Sequence, residues 1–361
     1  MSRLRAAVVG SGFVAQKRHI PSFLRLKREV SLCALCDLNQ GLVTEVAKRF
    51  GVKHVYSNLS EMLSKEDLDM VDICTSPQAH ASVAIEAMEQ SCNVLMEKPM
   101  ALSVSDCDKM IHSAKKYGVK LSVVHNQRFY PPFIKAQELV NAGAIGKITG
   151  MRVLSSTNRN DYMLCEGHWV HKLPGGVIGE TGPHTVYMSL AFTGGIKNVN
   201  VYARKMLDYP WVLYDDYRIN LMGENINSSV QVSHACNYSV SEVDLFRTDA
   251  AINIDLQSML LTRYRREHLT PSSVASSSLS IAGQTIKGVM SNFFKVCLGR
   301  PMLGHDIMIE KFVKSIINEQ PVPVTPEEGR EVIRIMDLII EQLGQKHGFD
   351  NSGKSIKTKY C

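Results

Sequence analysis

The sequence predicts an α/β domain built on a doubly wound parallel sheet, followed by an α+β domain with a large, mostly antiparallel open sheet. A chain of 361 residues is longer than one typical hydrophobic core supports. Over residues 3–124, short apolar runs alternate with helical patterns, which is typical of parallel strands joined by crossover helices. After about residue 125, strand-like segments follow one another directly, which favours antiparallel pairing.

The elements of the first part are short buried strands separated by amphipathic helices. The predicted strands are Leu4–Val9, Val30–Cys36, Met70–Thr75, Asn93–Met96 and Lys120–Val124. The predicted helices are Gln40–Phe50, Ala79–Glu89 and Ser103–Tyr117. These elements place a first domain at residues 1–125.

The second part begins with a helix opened by Pro131-Pro132 and continues from Lys147 with alternating apolar and polar positions. This alternation predicts strands at Asn198–Leu207, Tyr214–Met222, Ser229–Cys236 and Ala251–Leu256. The serine-rich segment Pro271–Ser280 is predicted to be a mobile loop. Two amphipathic helices are expected at residues 305–318 and 326–343. We therefore expect a second domain at residues 126–347 and a flexible tail at 348–361.

Composition excludes several classes of protein. Hydrophobic residues make up 45% and charged residues 21%, and the formal net charge is +6, which gives little support to nucleic-acid binding. No apolar run reaches the roughly 20 residues that a membrane span needs. The nine cysteines are scattered, and several lie inside predicted strands, which favours reduced thiols and a cytoplasmic protein. Cys33 and Cys36 form a C-x-x-C, but a strand spaces them poorly for a shared metal, so core packing is the preferred interpretation.

A glycine motif directly follows the first predicted strand, with the sequence Gly10-Ser11-Gly12-Phe13-Val14-Ala15. It matches G-x-G-x-x-[GA], in which the first glycine allows a tight turn and the second lets a pyrophosphate approach the backbone. The small third residue allows the following helix to pack closely on the strand. That helix presents free N–H groups to the phosphates. The position between a strand and a helix therefore predicts a Rossmann-type dinucleotide site.

Asp37 directly follows the second predicted strand. A carboxylate at this position accepts hydrogen bonds from the ribose hydroxyls and repels a 2′-phosphate, so it favours NAD, with NADP as the alternative. The competing interpretation is that Asp37 caps the helix that begins at Gln40.

Five further motifs follow the glycine motif along the chain. They are Thr75-Ser76-Pro77-Gln78-Ala79-His80, Glu97-Lys98-Pro99, Asn126-Gln127-Arg128-Phe129-Tyr130-Pro131, Gly143-Ala144-Ile145-Gly146-Lys147 and the segment from Gly175-Gly176 to Gly182-Pro183-His184. Together with the glycine motif, they resemble the motifs of the glucose–fructose oxidoreductase / inositol dehydrogenase / MocA family over nearly the whole chain. The resemblance implies an NAD(P)-dependent oxidoreductase in which these motifs contact the cofactor, through Thr75, Pro77, His80, Glu97, Lys98, Asn126 and Arg128.

In proteins that this chain resembles, the lysine of E-K-P contacts both the nicotinamide ribose and the substrate hydroxyl. Lys98 matches that lysine, and the resemblance implies a cis peptide before Pro99. Lys98 also falls at the carboxyl end of a predicted strand, where Rossmann ligands bind. The plain alternative is a solvated surface cation.

The second signature of the family is G-G-x-x-x-D-x-G-x-H, and His184 matches its histidine. Glu180 stands where the family has aspartate. An imidazole titrates near neutral pH, so His184 is the candidate base. Glu180, four residues earlier, is expected to orient the ring if the segment is helical. The alternative for His184 is a buried, hydrogen-bonded ring.

Several residues before this signature are candidates for substrate contact, in addition to Lys98 and His184. An aromatic face packs well against a sugar ring, and polar groups fix its orientation. The candidates are Arg159, Tyr162, His168 and Trp169. The set His168, His171, Glu180 and His184 also suggests a metal, but its spacing matches no standard zinc pattern, and we expect no metal.

The sequence thus predicts hydride transfer between NAD(P) and a secondary alcohol or ketone of a sugar, inositol or nucleotide sugar. One competing hypothesis is a glycosidase or lyase that oxidises its sugar transiently with bound NAD. Another is a non-catalytic sensor of NAD(P) or sugar. We also expect a homodimer or homotetramer, assembled through an apolar outer face of the antiparallel sheet.

Overall fold

The computed structural model describes residues 3–143, 146–157, 165–265, 268–299 and 303–347, with side chains up to residue 344 in the last range. The chain forms two compact units: residues 1–126 with 303–334 make unit 1, and residues 127–302 with 335–361 make unit 2. Residues 303–334 therefore belong to unit 1, although the sequence analysis assigned them to the second domain. The predicted tail at 348–361 lies outside the described residues.

Unit 1 contains a six-stranded parallel sheet in the order β3-β2-β1-β4-β5-β6. This confirms the predicted doubly wound sheet. The order reverses between β1 and β4, and ligands of such sheets bind in the crevice outside the carboxyl ends of the strands at that point. The strands are β1 Leu4–Val9, β2 Val30–Cys36, β3 His54–Tyr56, β4 Met70–Ile73, β5 Asn93–Met96 and β6 Leu121–Val123.

The first five helices lie between the strands of unit 1 as crossovers. They are α1 Ile20–Arg25, α2 Gln40–Phe50, α3 Leu59–Lys65, α4 His80–Glu89 and α5 Val104–Tyr117. Asn39, Asn58 and Ser103 cap α2, α3 and α5, because each side chain accepts the N–H of the residue three positions later. The prediction missed β3 and α3, because three and seven residues are too few to show a clear periodicity.

A π-helical segment, Ala15–His19, leads into α1. The N–H of Ile20 donates to the carbonyl of Ala15, five residues back. Pro21 follows, and it has no N–H with which to continue the hydrogen-bond ladder. The widened turn places His19 in the buried interior of unit 1.

Unit 2 contains a seven-stranded sheet in the order β13-β12-β11-β7-β10-β9-β8. All neighbouring pairs are antiparallel except β7 with β10, which confirms the mostly antiparallel sheet. The helices are α6 Pro131–Asn141, α7 Val177–Thr193 and α8 Pro271–Cys297. The strands are β7 Ile148–Ser156, β8 Ile196–Arg204, β9 Asp216–Gly223, β10 Asn227–Ser233, β11 Val240–Arg247, β12 Ala251–Asp255 and β13 Leu260–Tyr264.

Two further helices complete the described chain. Helix α9 spans Gly304–Ile317 and belongs to unit 1, where Met308, Phe312 and Val313 are fully buried. Helix α10 spans Pro326–His347, and its residues up to 334 belong to unit 1. Strands β11 and β13 were missed by the sequence analysis. No helix in the described part of the chain is both long and apolar enough to cross a bilayer.

The prediction of a loop at Pro271–Ser280 was wrong, because these residues form the first turns of α8. The side chain of Thr270 accepts the N–H of Ser273, and Pro271 occupies the first turn, where its missing N–H costs nothing. Serine is an intermediate helix former, so the cap and the proline favour a helix start that serine content alone does not indicate.

The outer face of the unit 2 sheet is largely polar, contrary to the expectation of an apolar face. In β9 the buried residues Tyr217, Ile219 and Leu221 alternate with the exposed Arg218 and Asn220. On the central strands, Arg152 forms an ion pair with Asp244, with Nε 2.8 Å from Oδ2. The side chains on this face are therefore more polar than the sequence analysis expected.

Candidate active site

The glycine motif forms the turn between β1 and the following helix. Gly10 has a φ of +94°, and a Cβ there would lie 2.5 Å from the carbonyl oxygen of Cys74, at the end of β4. Only glycine tolerates both the left-handed backbone and this close approach. A Cβ on Gly12 would meet nothing within 4 Å, so the outer side of the turn is open, and Ala15 is fully buried behind it. This arrangement fits the pyrophosphate of a dinucleotide.

Asp37 lies beside the glycine motif. Its Oδ2 accepts the N–H of Ser11 at 2.7 Å, and its Oδ1 accepts the N–H of Asn39 at 2.9 Å. The cap of α2 is Asn39, whose Oδ1 accepts the N–H of Leu42, so Asp37 does not have that role. Leu38, which the sequence analysis did not single out, is 93% exposed next to this carboxylate.

The E-K-P motif follows β5 at the carboxyl edge of the sheet. The Lys98–Pro99 peptide is cis, as the resemblance implied. Lys98 is half-buried and Pro99 is buried. Glu97 is buried, and its Oε2 accepts the N–H of Lys98 at 3.1 Å, so its carboxylate holds the backbone that carries Lys98.

His80 joins the loops that follow β4 and β5. Its Nδ1 lies 2.8 Å from the carbonyl oxygen of Pro99, and its Nε2 lies 3.1 Å from that of Thr75. The ring is fully buried, and burial lowers the pKa of His80. His80 therefore connects the two loops through their backbone carbonyls, and its predicted contact with the cofactor stays a prediction. Pro77, also predicted at this site, is buried in the turn before α4.

The last predicted cofactor residues lie on a 3-10 turn after β6, Asn126–Phe129. Asn126 is buried and Arg128 is half-buried.

A buried cluster of ionisable groups includes Glu97 of the E-K-P motif, and no sequence motif predicted it. The Nδ1 of His19 is 2.7 Å from Oδ2 of Asp72, and its Nε2 is 2.8 Å from Oε1 of Glu97. The same Glu97 oxygen lies 3.4 Å from Nε2 of His305, at the start of α9. We call these four residues the histidine–carboxylate cluster.

Charge pairing sets the protonation of this cluster. Burial alone would lower the pKa of His19, but the negative charge of Asp72 raises it well above its usual value. Burial would likewise raise the pKa of Glu97, but hydrogen bonds from His19 and His305 hold it well below its usual range. Burial lowers the pKa of His305. The directions of these shifts favour a protonated His19 between Asp72 and Glu97, with His305 on the other side of Glu97.

In the described part of the chain, two groups of side chains bring possible metal ligands together, and both contain His19. One is His19, Asp72 and Cys74, and the other is His19, Glu97 and His305. The short nitrogen–oxygen distances of the cluster are those of hydrogen-bonded ion pairs. Neither group includes any of the four residues for which the sequence analysis considered a metal site: His168, His171, Glu180 and His184.

In unit 2, Glu180 and His184 lie on helix α7, so they are one helical turn apart. The Nδ1 of His184 lies 2.7 Å from the hydroxyl oxygen of Tyr187, which is fully buried. That hydroxyl also accepts the N–H of Gln127 at 3.2 Å. Tyr187 is thus an orienting partner of His184 that the sequence analysis did not name, although its i,i+3 spacing on a helix was a usable signal.

His168 begins the 3-10 turn Trp169–Lys172, and its Nδ1 accepts the N–H of Val170. Burial and the nearby His171 lower the pKa of His168, while Glu180 acts in the opposite direction. Trp169 is 43% exposed, with its ring centroid 5.7 Å from that of His168. Arg159 and Tyr162, the other predicted substrate residues, lie outside the described residues.

A cavity of about 560 Å³ lies elsewhere in unit 2, between β13 and α8. It is lined by Arg263, Tyr264, Arg265, His268, Ser273, Ser276, Ser277, Ser280 and Gln284. Because no candidate site residue lines it, we do not associate it with the chemistry discussed below.

Family models match both parts of the chain. The model of an oxidoreductase family with an NAD-binding Rossmann fold matches residues 4–125, and the GFO/IDH/MocA C-terminal domain matches residues 133–252. The chain belongs to the Gfo/Idh/MocA oxidoreductase family. The glycine motif of this family member therefore lies in an NAD-binding domain, as its open turn indicates.

Curated relatives of this Gfo/Idh/MocA protein match part of its length. Oxidoreductase P35 of Formosa agariphila is 26% identical over 204 residues, which cover 55% of this chain and 63% of the relative. The myo-inositol 2-dehydrogenase of Thermotoga maritima is 30% identical over 42% of this chain and 45% of its own length. The D-glucoside 3-dehydrogenase of Escherichia coli is 30% identical over 41% of this chain and 42% of its own length. The matches thus span roughly half of each relative.

Solved structures share the fold over nearly the whole chain. An oxidoreductase of Agrobacterium radiobacter, in complex with NAD+, L-tartaric acid and magnesium, has a TM-score of 0.77 and 18% identity, covering 96% of this chain and 97% of that one. The WlbA dehydrogenase of Bordetella pertussis, in complex with NADH and UDP-GlcNAcA, has a TM-score of 0.75 and 17% identity, covering 94% and 96%. The family fold therefore extends beyond the segments matched by the curated relatives.

Proposed function

We propose that this protein is an NAD(P)-dependent dehydrogenase that interconverts a secondary alcohol and a ketone on a sugar, an inositol or a nucleotide sugar. The observation that carries the proposal is the position of Lys98, whose backbone N–H is held by the buried Glu97 at the carboxyl end of β5 in an NAD-binding domain. The names of the inositol and glucoside dehydrogenases among its relatives support this substrate class.

The described residues of unit 1 suit NAD. The turn around Gly12 leaves room for the pyrophosphate, and Asp37 offers a carboxylate to the ribose hydroxyls. The exposed Leu38 provides an apolar surface beside that carboxylate. Bound NAD supplies the carbon that accepts or returns the hydride. NAD is the proposed partner in preference to NADP, because Asp37 would repel a 2′-phosphate.

Lys98 positions the reacting hydroxyl and stabilises the negative charge that develops on its oxygen. An ammonium group is a compact charge with three donors, which suits contact with a ribose and a substrate oxygen together.

His184 removes the hydroxyl proton during oxidation and returns it during reduction. The contact between Nδ1 of His184 and the hydroxyl oxygen of Tyr187 orients the imidazole for this proton transfer. The carboxylate of Glu180, one turn earlier on α7, stabilises the positive charge that the ring then carries. His168 and Trp169 contribute polar and aromatic contacts to the sugar ring.

The test is coenzyme reduction by the purified chain across a panel of polyols, free sugars and nucleotide sugars, with NAD and NADP in parallel. We expect NADH formation with at least one polyol, and its loss in the Lys98→Ala variant, which should still bind NAD by calorimetry. A chain that binds NAD yet reduces it with no member of the panel, and oxidises NADH with no corresponding ketone, would overturn the proposal.

We further propose that the protein acts in a reducing compartment such as the cytoplasm. The eight described cysteines are all free thiols, and four of the five in unit 1 are buried. Structural disulfides would be expected in an oxidising compartment.

A further inference from the structure

The walls of the cavity between β13 and α8 are held together by hydrogen bonds within unit 2. The Nε2 of Gln284 donates to the carbonyl oxygen of Arg263 at 2.8 Å, and its Oε1 accepts the N–H of Arg263 at 2.9 Å. At the start of α8, the hydroxyl of Thr270 accepts the N–H of Ser273 at 3.3 Å. The volume of about 560 Å³ lies within the range of about 300–1,000 Å³ that is usual for small-molecule sites.

The described lining of this cavity consists of side chains that donate hydrogen bonds. It comprises two arginines, a histidine, a tyrosine, a glutamine and four serines, each of which carries at least one side-chain donor. None of these described lining residues is a carboxylate. A lining rich in donors, with cations but no acidic side chain among its described members, complements a ligand that carries negatively charged oxygens.

The two arginines supply the strongest donors. Arg263 ends its contact with Gln284 through the backbone alone, so that contact does not engage its guanidinium. Arg265 follows two residues later, just after β13, and its side chain lines the same cavity. Both residues are exposed, so a ligand can reach them from the solvent side. A guanidinium presents its N–H groups as a planar fork that matches two oxygens of a phosphate.

The serines form the opposite wall. Ser273, Ser276, Ser277 and Ser280 are three to four residues apart, so they share the face of α8 that also carries Gln284. Ser277 is buried at the back of this wall, and the others are half-buried or exposed. They belong to the N-terminal half of the helix, where its dipole favours negative charge. The 27 residues of α8 include no aspartate or glutamate, so no acidic side chain of this helix opposes an anion.

These features favour a phosphorylated compound over a neutral sugar. Each sugar hydroxyl both donates and accepts, and carboxylates are well suited to accept its proton, whereas the described lining offers cations and hydroxyls. The cavity is also larger than a phosphate group needs. It leaves room for the sugar or nucleoside that carries the phosphate, and Tyr264 offers an aromatic ring to pack against it.

We propose that the cavity between β13 and α8 binds a phosphorylated small molecule, with Arg263 and Arg265 holding its phosphate group and the serines of α8 donating hydrogen bonds to it. This site shares no residue with the glycine motif or with the residues proposed for hydride transfer. Its occupancy therefore does not depend on the proposed dehydrogenase activity.

The experiment is calorimetric titration of the full chain with inorganic phosphate, glucose 6-phosphate and UDP, in the presence of excess NAD. Glucose and uridine are the uncharged counterparts. We expect saturable binding of at least one phosphate probe and none of its uncharged counterpart. The variant Arg263→Gln/Arg265→Gln should raise the Kd about tenfold or more, because charged hydrogen bonds are lost. Its circular dichroism spectrum should be unchanged, since Gln284 contacts only the backbone of Arg263.

Two further variants separate the geometry of the site from general charge. Lys287→Gln/Lys295→Gln removes two cations from the same helix that are not among the described lining residues, so it should leave the Kd near the wild-type value. Arg263→Lys/Arg265→Lys keeps the charge but loses the planar fork, so its Kd should lie between those of the wild type and the glutamine variant.

Hydrogen exchange locates the bound probe. Binding should slow amide exchange within residues 271–284 and leave residues 10–19, which contain the glycine motif, unchanged. The proposal is overturned if the wild type binds none of the three phosphate probes, if Arg263→Gln/Arg265→Gln binds as tightly as the wild type, or if residues 271–284 show no protection. Co-sedimentation with phosphatidic acid vesicles, without binding of any soluble probe, would also overturn it and would assign the arginines to a lipid surface.

Discussion

The side chains of His19 and Glu97 are 78 residues apart in sequence, and Nε2 of the histidine lies 2.8 Å from Oε1 of the glutamate. The contact connects the helix after the glycine motif to the E-K-P motif. The other oxygen of Glu97 holds the N–H of Lys98. The buried His19–Glu97 pair therefore connects the segment after the glycine motif to the backbone of Lys98, the candidate catalytic lysine.

Replacing His19 by glutamine should destabilise the protein by about 3–5 kcal/mol, because two buried carboxylates then lose their cation. The pH dependence of stability should also change. Wild-type His19 keeps its proton in the folded state above pH 6.5, where the unfolded chain releases it. The free energy of unfolding of the wild type therefore falls as pH rises from about 6.5 towards the raised pKa, by at most about 1.4 kcal/mol per pH unit.

Chemical denaturation of the wild type and His19→Gln at several pH values measures this. The variant should lack that alkaline slope. His112→Gln, which changes an exposed histidine on α5 in the same unit, is the control and should follow the wild type. An identical slope in wild type and His19→Gln would show that His19 is neutral in the folded protein.

The two glycines of the motif should respond differently to alanine. Gly10→Ala places a Cβ against the carbonyl of Cys74 on a left-handed backbone, so we expect a loss of at least 2 kcal/mol in stability. Gly12→Ala adds a methyl group in open space, so the melting temperature should stay near wild type while the affinity for NAD falls about tenfold or more. Thermal melts and NAD titration separate the two effects. Equal melting temperatures for the two variants would contradict this account.

Asp37→Ser should change coenzyme preference. Loss of charged hydrogen bonds to the ribose should raise the Kd for NAD by about 10-fold to 100-fold, since each such bond contributes about 1.5–3 kcal/mol. The affinity for NADP should rise relative to NAD, because the repulsion of a 2′-phosphate is removed. Asn39→Ser, which keeps a side chain able to cap α2, is the control. An unchanged ratio of the two affinities would remove Asp37 from the ribose site.

Lys98→Ala and His184→Ala should each lower kcat by about 100-fold or more, as loss of acid–base or electrostatic help usually does. NAD affinity should survive in His184→Ala, because His184 lies outside the segment matched by the NAD-binding family model. Steady-state kinetics with a substrate identified for the wild type measures the loss of kcat, and a separate NAD titration measures the cofactor affinity. Near-normal turnover in both variants would end the proposed mechanism.

Tyr187→Phe removes the hydroxyl that contacts Nδ1 of His184 and leaves the packing of the ring unchanged. We expect kcat to fall by about 3-fold to 30-fold with little change in KM, and the pH at which kcat reaches half its maximum to shift. A purely structural role would lower the melting temperature and leave that pH profile where it was.

The parallel sheet was predictable, because buried strands separated by helices leave few other topologies. The positions of the glycine and E-K-P motifs at strand ends were predictable for a similar reason, because local sequence sets them. Their contact with the cofactor stays a prediction. The histidine–carboxylate cluster was not predictable, because His19 is a lone histidine whose partners lie 53 and 78 residues away. The role of His305 in this cluster was not predictable either, because nothing in the local sequence indicates that residues 303–334 belong to unit 1.

Other errors came from competing local signals. Six serines near the start of α8 suggested a loop, whereas the Thr270 cap and Pro271 are a helix start. Apolar residues of the second domain suggested an apolar outer sheet face, but in β9 they point to the buried side, and the exposed apolar residues concentrate on α8.

Because Ala15–His19 is a π-helical turn, the number of residues in this segment determines the direction of the His19 side chain. Each residue of a helix advances the next by about 100° around the axis. Deleting one residue between Ala15 and His19 would restore an ordinary turn and swing the imidazole away from Asp72. Among related sequences, we therefore expect alignment gaps in this turn to coincide with loss of the histidine, and the two positions that carry its carboxylates to change with it.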